Sequence, residues 1–355
     1  MRVVVVGATG NVGSSLVRLL AADERVGSIL GVARRRPELE LPKTDWAEAD
    51  VTRDDLADRF RDADVVVHLA WAIQPSRDER QLHRVNVEGS ARVFDATASA
   101  RVPALVYASS VGAYSPGPKD RAVDESWAVE GIPSSFYSRH KAEVERRLDR
   151  VEAEHPRLRV VRLRPGLIFK ASAATGIRRL FAGPFAPGVL LRPGLIPFVP
   201  AIDGLRFQAV HTDDVADAYL QAIVRDVRGA FNIAAEPVLD AAQLAELLHA
   251  RPLPLPRIVA RSALRLLWRL RLQPTPPGWL DLALAVPLMN CSRAVRELGW
   301  KPERTATEAM SDLLSGFRAG ADDATPPLAH ATSAPARVKE LATGVGARDD
   351  AGDDG

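Results

Sequence analysis

The stretch Val3-Val4-Val5-Val6-Gly7-Ala8-Thr9-Gly10-Asn11-Val12-Gly13 runs four β-branched residues into three glycines spaced three apart, and an amphipathic segment follows. A run of valines fits a strand buried on both faces. Small residues at Gly7, Gly10 and Gly13 let the backbone turn tightly into a helix whose first amides stay open to a negatively charged group such as a pyrophosphate. Gly7, Thr9, Gly10, Asn11, Val12 and Gly13 are the candidate contacts.

Outward from this turn the same alternation repeats. Val3–Val6, Ser28–Ala33, Val65–Leu69, Ala104–Ser109 and Leu158–Leu163 read as buried strands, with amphipathic stretches at about 11–21, 53–61, 78–100 and 137–154 between them. That rhythm predicts an α/β fold built on a doubly wound parallel sheet (Rossmann), with ligands at the carboxyl ends of its strands and a smaller C-terminal α/β substrate lobe. The alternation breaks after Arg164-Pro165-Gly166. Residues 170–205 are rich in Pro and Gly and read as a lid. Order resumes with strands near 206–211 and 230–234, a helix from Asp213, and helices near 240–249, 257–271, 292–298 and 305–318. The expected division is 1–165 with returning segments near 206–234 for dinucleotide binding, 166–205 and 235–320 for the substrate lobe, and a disordered tail over 324–355.

Bulk properties narrow the function. Forty-seven basic residues against 45 acidic ones leave a net charge of +2, with no basic block near the front, so nucleic acid is not expected as a partner. The lone Cys291 excludes an internal disulfide and a cysteine-rich metal site, and no metal site is expected. No apolar run is long enough to span a bilayer, and Met1–Val6 leave no room for a signal peptide, so a cytoplasmic location is expected.

Two further features carry chemistry. Positions 26–37 hold Arg34, Arg35 and Arg36 and no Asp or Glu, where an acid would receive the ribose 2′-hydroxyl of NAD. Guanidinium groups at Arg34 and Arg35 suit a 2′-phosphate, so NADP is expected, with NAD possible. Downstream, Tyr137-Ser138-Arg139-His140-Lys141 places a phenol and an ammonium on one helical face, where the cation favours the phenolate.

Together with Asp50-Val51, His68-Leu69-Ala70-Trp71, Asn86-Val87-Glu88-Gly89, Tyr107-Ala108-Ser109-Ser110 with Tyr114, Leu163-Arg164-Pro165-Gly166, His211-Thr212-Asp213-Asp214 and Leu298-Gly299-Trp300-Lys301-Pro302, these residues resemble the extended short-chain dehydrogenase/reductase family, in its NAD-dependent epimerase/dehydratase branch. The resemblance spans about 1–318. It implies a small-molecule substrate and a catalytic set of Ser110, Tyr137 and Lys141. Ser110 would hydrogen-bond the reacting oxygen, Tyr137 would move its proton, and Lys141 would favour the tyrosinate and hold the nicotinamide ribose. It also implies Asp50 and Val51 at the adenine, Leu69, Ala70 and Trp71 along the middle of the cofactor, and Pro165 to Ile168 beside the carboxamide. Asn86 is either part of a proton path or a packing amide. A homodimer through the helices near 78–100 and 137–154 is a further implication.

The expected activity is NAD(P)-dependent hydride transfer to or from a carbonyl or alcohol. The alternatives are a cofactor-recycling epimerase/dehydratase and a non-catalytic dinucleotide sensor. Two polar anchors common to nucleotide-sugar enzymes are missing: no Asn follows Arg164-Pro165, and Phe207 stands four before His211. Arg206 lies one residue off, on the opposite strand face. The lid carries Phe181, Phe185, Leu190, Leu191, Ile196, Phe198 and Val199, which suits a less polar substrate. Finally, Arg257, Arg261, Arg265 and Arg269 recur every fourth residue beside Ile258, Leu264, Leu267, Trp268 and Leu270. This basic amphipathic helix is expected to pack on the core with a solvated arginine face; contact with anionic lipid or with an acidic partner is the alternative.

Overall fold

The computed structural model describes residues 1–73, 77–174, 177, 196–273 and 275–319. Phe181, Phe185, Leu190, Leu191 and the stretch from 324 onward lie outside them.

The frame is a seven-stranded, all-parallel sheet. Its strands are β1 (Arg2–Val6), β2 (Ser28–Ala33), β3 (Thr44–Glu48), β4 (Val65–His68), β5 (Ala104–Ala108), β7 (Arg159–Pro165) and β11 (Gly229–Ile233), in the order β11-β7-β5-β4-β1-β2-β3. The order reverses between β1 and β4, which pair Val3 with Val65 and Val6 with His68, and this opens a crevice at their carboxyl ends. Side chains alternate across the sheet. Val3 and Val5 join Leu16, Val17 and Tyr219 on one face, while Val4 and Val6 join Phe60, Phe94 and Leu148 on the other. Burial on both faces is why these strands read as continuous apolar runs.

The first face is covered by α1 (Asn11–Ala22) and α6 (Thr212–Val224). The second is covered by α2 (Ala57–Phe60), α4 (Gly89–Ser99) and α5 (Phe136–Glu154). Before α4 the chain forms α3 (Glu79–His83) and one π-helical turn, Arg84–Glu88. The C-terminal part adds a sheet of β8 (Leu167–Phe169), β10 (Phe207–His211) and β12 (Ala235–Leu239), which α10 (Ala306–Ala319) and α7 (Ala241–Leu248) pack against. β9 (Phe198–Ile202) pairs with β13 (Arg251–Leu255), and β6 (Ala122–Val123) with β14 (Leu288–Met289). Among the described residues two further α-helices are α8 (Arg257–Arg269) and α9 (Gly278–Ala285).

Four segments depart from expectation. β3 is an edge strand with exposed and half-exposed residues, so it lacks the apolar run that marks the other strands. The helix expected over 53–61 shrinks to Ala57–Phe60, because Asp54 and Asp55 carboxylates accept the amides of Asp50 (2.7 Å) and Ala57 (2.9 Å) in local turns. α9 was not expected at all: it follows a Pro-rich stretch that reads as loop. α8 is not core-packed, since Ala260 alone of its residues is buried.

Candidate active site

The crevice is built by backbone approach. Gly7 sits at φ +89°, and a Cβ there would lie 2.5 Å from the Ala70 amide nitrogen; a Cβ at Gly13 would lie 2.3 Å from the Gly7 carbonyl oxygen. The first turn therefore packs directly on the segment after β4, and Leu69 donates to Val6 O at 2.8 Å. α1 starts at Asn11 with no side-chain cap, which leaves its leading amides to an anion. Lys170 adds positive charge beneath this turn, donating to Asn11 O (3.0 Å) and Ser14 Oγ (2.9 Å). Thr9 is buried, and Val12 packs on the core. A glycine cradle and an uncapped helix start fit a dinucleotide pyrophosphate. Gly7→Ala is expected to cost about 1–2 kcal/mol for the left-handed backbone alone, beyond the clash. Melting temperature and dinucleotide titration would both report it.

Arg34, Arg35 and Arg36 are exposed just past β2. Reading 26–37 alone missed Glu48, which stands opposite Ala33 at the end of β3 and accepts the Arg36 amide at 3.0 Å. Asp50 accepts from Thr52, and the Val51 carbonyl accepts from Arg92 Nε at 3.0 Å, so both belong to the turn after β3. Asn86 is fully buried and commits its amide to the backbone: Oδ1 accepts from Ala72 N (2.7 Å) and Nδ2 donates to Ala72 O (3.0 Å). The proton-path expectation therefore gives way to a clamp on the loop that carries Trp71. Pro165 ends β7, and Ile168 pairs with Val210 across β8 and β10.

Ser110 and Tyr137 are brought together by a short staple. Ser110 caps a single 3-10 turn, Val111–Ala113, accepting from Gly112 N at 3.0 Å. Ser138, next to Tyr137, donates to Gly112 O at 2.6 Å, and Ser135 caps α5. Gly112 lies between the two: its amide donates to Ser110 Oγ, and a Cβ there would stand 2.7 Å from the Tyr137 ring and 3.4 Å from Ser110 Oγ. Its ring lies between two indoles, Trp279 at 5.2 Å and Trp71 at 6.0 Å between centroids. Lys141, one turn on, is buried; its Nζ donates to Ala108 O at 2.6 Å and lies 3.5 Å from the Trp71 ring centre.

The electrostatics differ from expectation. Burial pushes the Tyr137 phenol up to about 12, with the Ser110 hydroxyl opposing it. Burial also drives Lys141 well below its ordinary value, and the nearby Glu145 carboxylate works against that. At the phenol desolvation leads, and the Lys141 ammonium, directed at Ala108 O and the Trp71 face, does not outweigh it. The resting phenol is protonated.

Beneath Lys141 lies a buried charge cluster. Glu145 accepts from Ser109 Oγ (2.5 Å), Arg164 Nε (2.8 Å), Arg164 Nη2 (3.0 Å) and Arg162 Nη1 (2.9 Å). Burial favours its neutral acid, yet Arg164, then Arg162 and Ser109, hold the carboxyl down at about 2. Arg164 also donates to Tyr114 Oη (3.0 Å), which donates to Asn232 (2.7 Å). Sequence reading passed over Glu145, Ser138 and Trp279. Glu145 alone carried a signal, four residues beyond Lys141 on the same face of α5.

His211 caps α6, its Nδ1 accepting from Asp213 N at 3.2 Å. Asp214, an acid in the first turn of α6, is buried and accepts from the amides of Glu303 (3.0 Å) and Arg304 (3.2 Å), tying the C-terminal segment to α6. A hollow of about 700 Å³ near His211 is not lined by Ser110, Tyr137 or Lys141; its lining includes the Arg304–Asp213 ion pair (3.1 Å) and the His211–Asp312 hydrogen bond (3.3 Å).

Against known proteins, the sequence model of the NAD dependent epimerase/dehydratase family matches residues 3–234. A 3-diazoavenalumate denitrifying reductase from Streptomyces is 30% identical over 315 residues, covering 85% of this chain and 96% of that protein. The 4-hydroxy-2-methyl-3-oxo-4-farnesyl-3,4-dihydroquinoline-1-oxide ketoreductase of Stigmatella aurantiaca is 26% identical over 340 residues, covering 90% and 98%. Among solved structures, the Thermus thermophilus UDP-glucose 4-epimerase complex with NAD superposes with a TM-score of 0.66 at 22% identity, covering 90% of this chain and 99% of that one.

Proposed function

The chain belongs to the NAD dependent epimerase/dehydratase family of NAD-dependent enzymes, and on that premise we propose that it is an NADP-preferring reductase of a weakly polar carbonyl compound. The observation that carries this reading is the convergence of Ser110 Oγ and the Tyr137 ring on Gly112, one helical turn from buried Lys141. When bound, the nicotinamide supplies or accepts the hydride.

In this reading Ser110 donates to the substrate oxygen, and Tyr137 delivers a proton to it. A phenol held near 12 is stored protonated at neutral pH, which suits reduction. Lys141 stabilises the tyrosinate left behind. Gly7, Gly10 and Gly13 with the α1 amides hold the pyrophosphate, Asp50 and Val51 lie towards the adenine, and Leu69 to Trp71, Pro165 and Ile168 line the rest. Residues 1–165 with the returning segments near 206–234 are assigned to the dinucleotide half, and 166–205 with 235–320 to the substrate half. The indoles of Trp71 and Trp279 around Tyr137 favour an apolar substrate. The Stigmatella ketoreductase, which by its name acts on a farnesylated ketone, supports the same class.

NADP preference rests on exposed Arg34 and Arg35 at the end of β2. A panel of lipophilic ketones read at the nicotinamide absorbance tests both parts. Net NADPH oxidation is expected, at higher kcat/KM than with NADH. Arg34→Ala with Arg35→Ala should raise the KM for NADPH about 10²–10⁴-fold while leaving NADH nearly unchanged, since each charge-assisted bond contributes about 1.5–3 kcal/mol. An NADH preference in the wild type removes the NADP assignment. Turnover of an epimer or dehydration substrate without net NADPH loss replaces reduction by cofactor recycling.

A further inference from the structure

The α8 helix is built against the usual rule for a surface helix. Its inward strip of Ala260, Leu264 and Trp268 is buried or half-buried. Opposite it, Val259 (52% exposed), Leu266 (58%) and Leu270 (58%) recur at helical spacing and face solvent, with Ile258 (76%) and, just past the helix end, Leu272 (70%) also bare. An ordinary solvated helix would place polar residues there. Arg257, Arg261, Arg265 and Arg269 form a parallel stripe beside the apolar one, and Arg251 and Arg271 flank it, with no Asp or Glu from 251 to 280. Two of these cations are tied to acids, Arg257 to Asp203 (3.2 Å) and Arg261 to Asp281 (2.7 Å). Arg265, Arg269 and Arg271 are exposed.

We propose that α8 is a docking face for an anionic lipid bilayer, lying in the interface with Val259, Leu266 and Leu270 among the acyl chains and Arg265, Arg269 and Arg271 at the headgroups. Charge decides between occupants. An apolar face would serve a second copy of the chain equally well, but two such faces would bring the exposed Arg265, Arg269 and Arg271 of each copy together, while Asp203 and Asp281 are already paired with Arg257 and Arg261. An anionic surface complements both stripes at once. Among the described residues no helix is long and apolar enough to cross a membrane, so the contact is one of surface seating.

The face is coupled to the candidate active site. Arg261 grips Asp281 on α9 with a second bond of 2.9 Å, and Trp279 on that helix packs against Tyr137. Arg77, from the loop after Trp71, donates to Trp268 O at 2.6 Å and stacks 4.5 Å over its ring. Seating α8 on a bilayer would put the Tyr137 pocket beside a reservoir of apolar substrate. That last step rests on the proposed function; the docking itself does not.

The test is co-sedimentation of the full chain with vesicles of phosphatidylcholine alone or of equal parts phosphatidylcholine and phosphatidylglycerol. Sedimentation with the anionic vesicles only is expected. Each exposed arginine is worth about fivefold in partitioning, so R265E/R269E should weaken binding at least about 25-fold, and L266S/L270S should abolish it, both with unchanged melting temperature. Wild-type protein left in the supernatant, or variants that sediment as well as wild type, would overturn the proposal. So would concentration-dependent dimerisation that L266S/L270S abolishes in light scattering without any vesicle binding. NADPH turnover of a water-soluble ketone by these variants separates the two readings: vesicle binding lost with turnover kept confirms the face as a separate device, whereas vesicle binding without turnover in the wild type leaves docking standing and sinks the reductase.

Discussion

Tyr137→Phe is expected to lower kcat about 10²–10⁴-fold, the usual contribution of a positioned general acid, with KM for ketone and NADPH within a few-fold of wild type. The substitution removes one hydroxyl and little else. The phenyl ring keeps its place between Trp71 and Trp279, and Ser110 keeps the Gly112 amide as a donor. Dinucleotide binding should persist, since Tyr137 is not among the groups proposed to hold the pyrophosphate or adenine. Single-turnover absorbance with bound NADPH separates chemistry from binding. Hydride transfer at the wild-type rate would remove Tyr137 from the reaction, and with it the reading of Ser110 and Lys141 as its helpers.

The fold was legible because its strands are buried on both faces. Val3–Val6 and Val65–His68 leave no doubt about their environment, whereas β3, with Asp45 and Glu48 exposed, shows no pattern that a loop would not show. That omission had a chemical consequence, for it hid Glu48 beside the arginine cluster at the end of β2. Tyr137 and Lys141 were legible because a helix fixes neighbours four apart. Ser110 required the surrounding motif to single it out. Lys170 beneath the first turn of α1 was not legible, because the contact joins residues far apart in the chain, 159 positions in the case of Asn11, through its return after β8. The Tyr137 electrostatics escaped for another reason: spacing shows that a cation is near, but the balance between its field and desolvation depends on where Nζ points.

Glu145→Gln is expected to destabilise the fold by about 3–5 kcal/mol, lowering the melting temperature roughly 6–20 °C, because it leaves buried Arg164 without a carboxylate. Arg162 retains Asp149 at 2.6 Å and Glu152 as partners, but Arg164 is left with neutral acceptors alone: the amide oxygen of the substituted side chain, Tyr114 Oη and the Glu125 backbone carbonyl. Restoring neutrality should recover part of the loss: adding Arg164→Met to Glu145→Gln removes the stranded charge, so the double variant should be more stable than the sum of the single effects. The pH dependence follows from the depressed acid. Glu145 moves from an ordinary 4.5 to about 2 on folding, so its stabilisation is complete above about pH 4.5 and is lost as pH falls towards 2. Acid titration of the melting temperature should show this fall in the wild type, and it should be shallower in Glu145→Gln. A purely structural role would leave catalysis at moderate temperature untouched. Glu145 also opposes the downward shift of Lys141, so its neutralisation should carry Lys141 lower still and move the alkaline limb of kcat to lower pH. An unchanged limb would confine Glu145 to folding; a shifted limb makes it a positioning residue that keeps the Lys141 cation available to Tyr137.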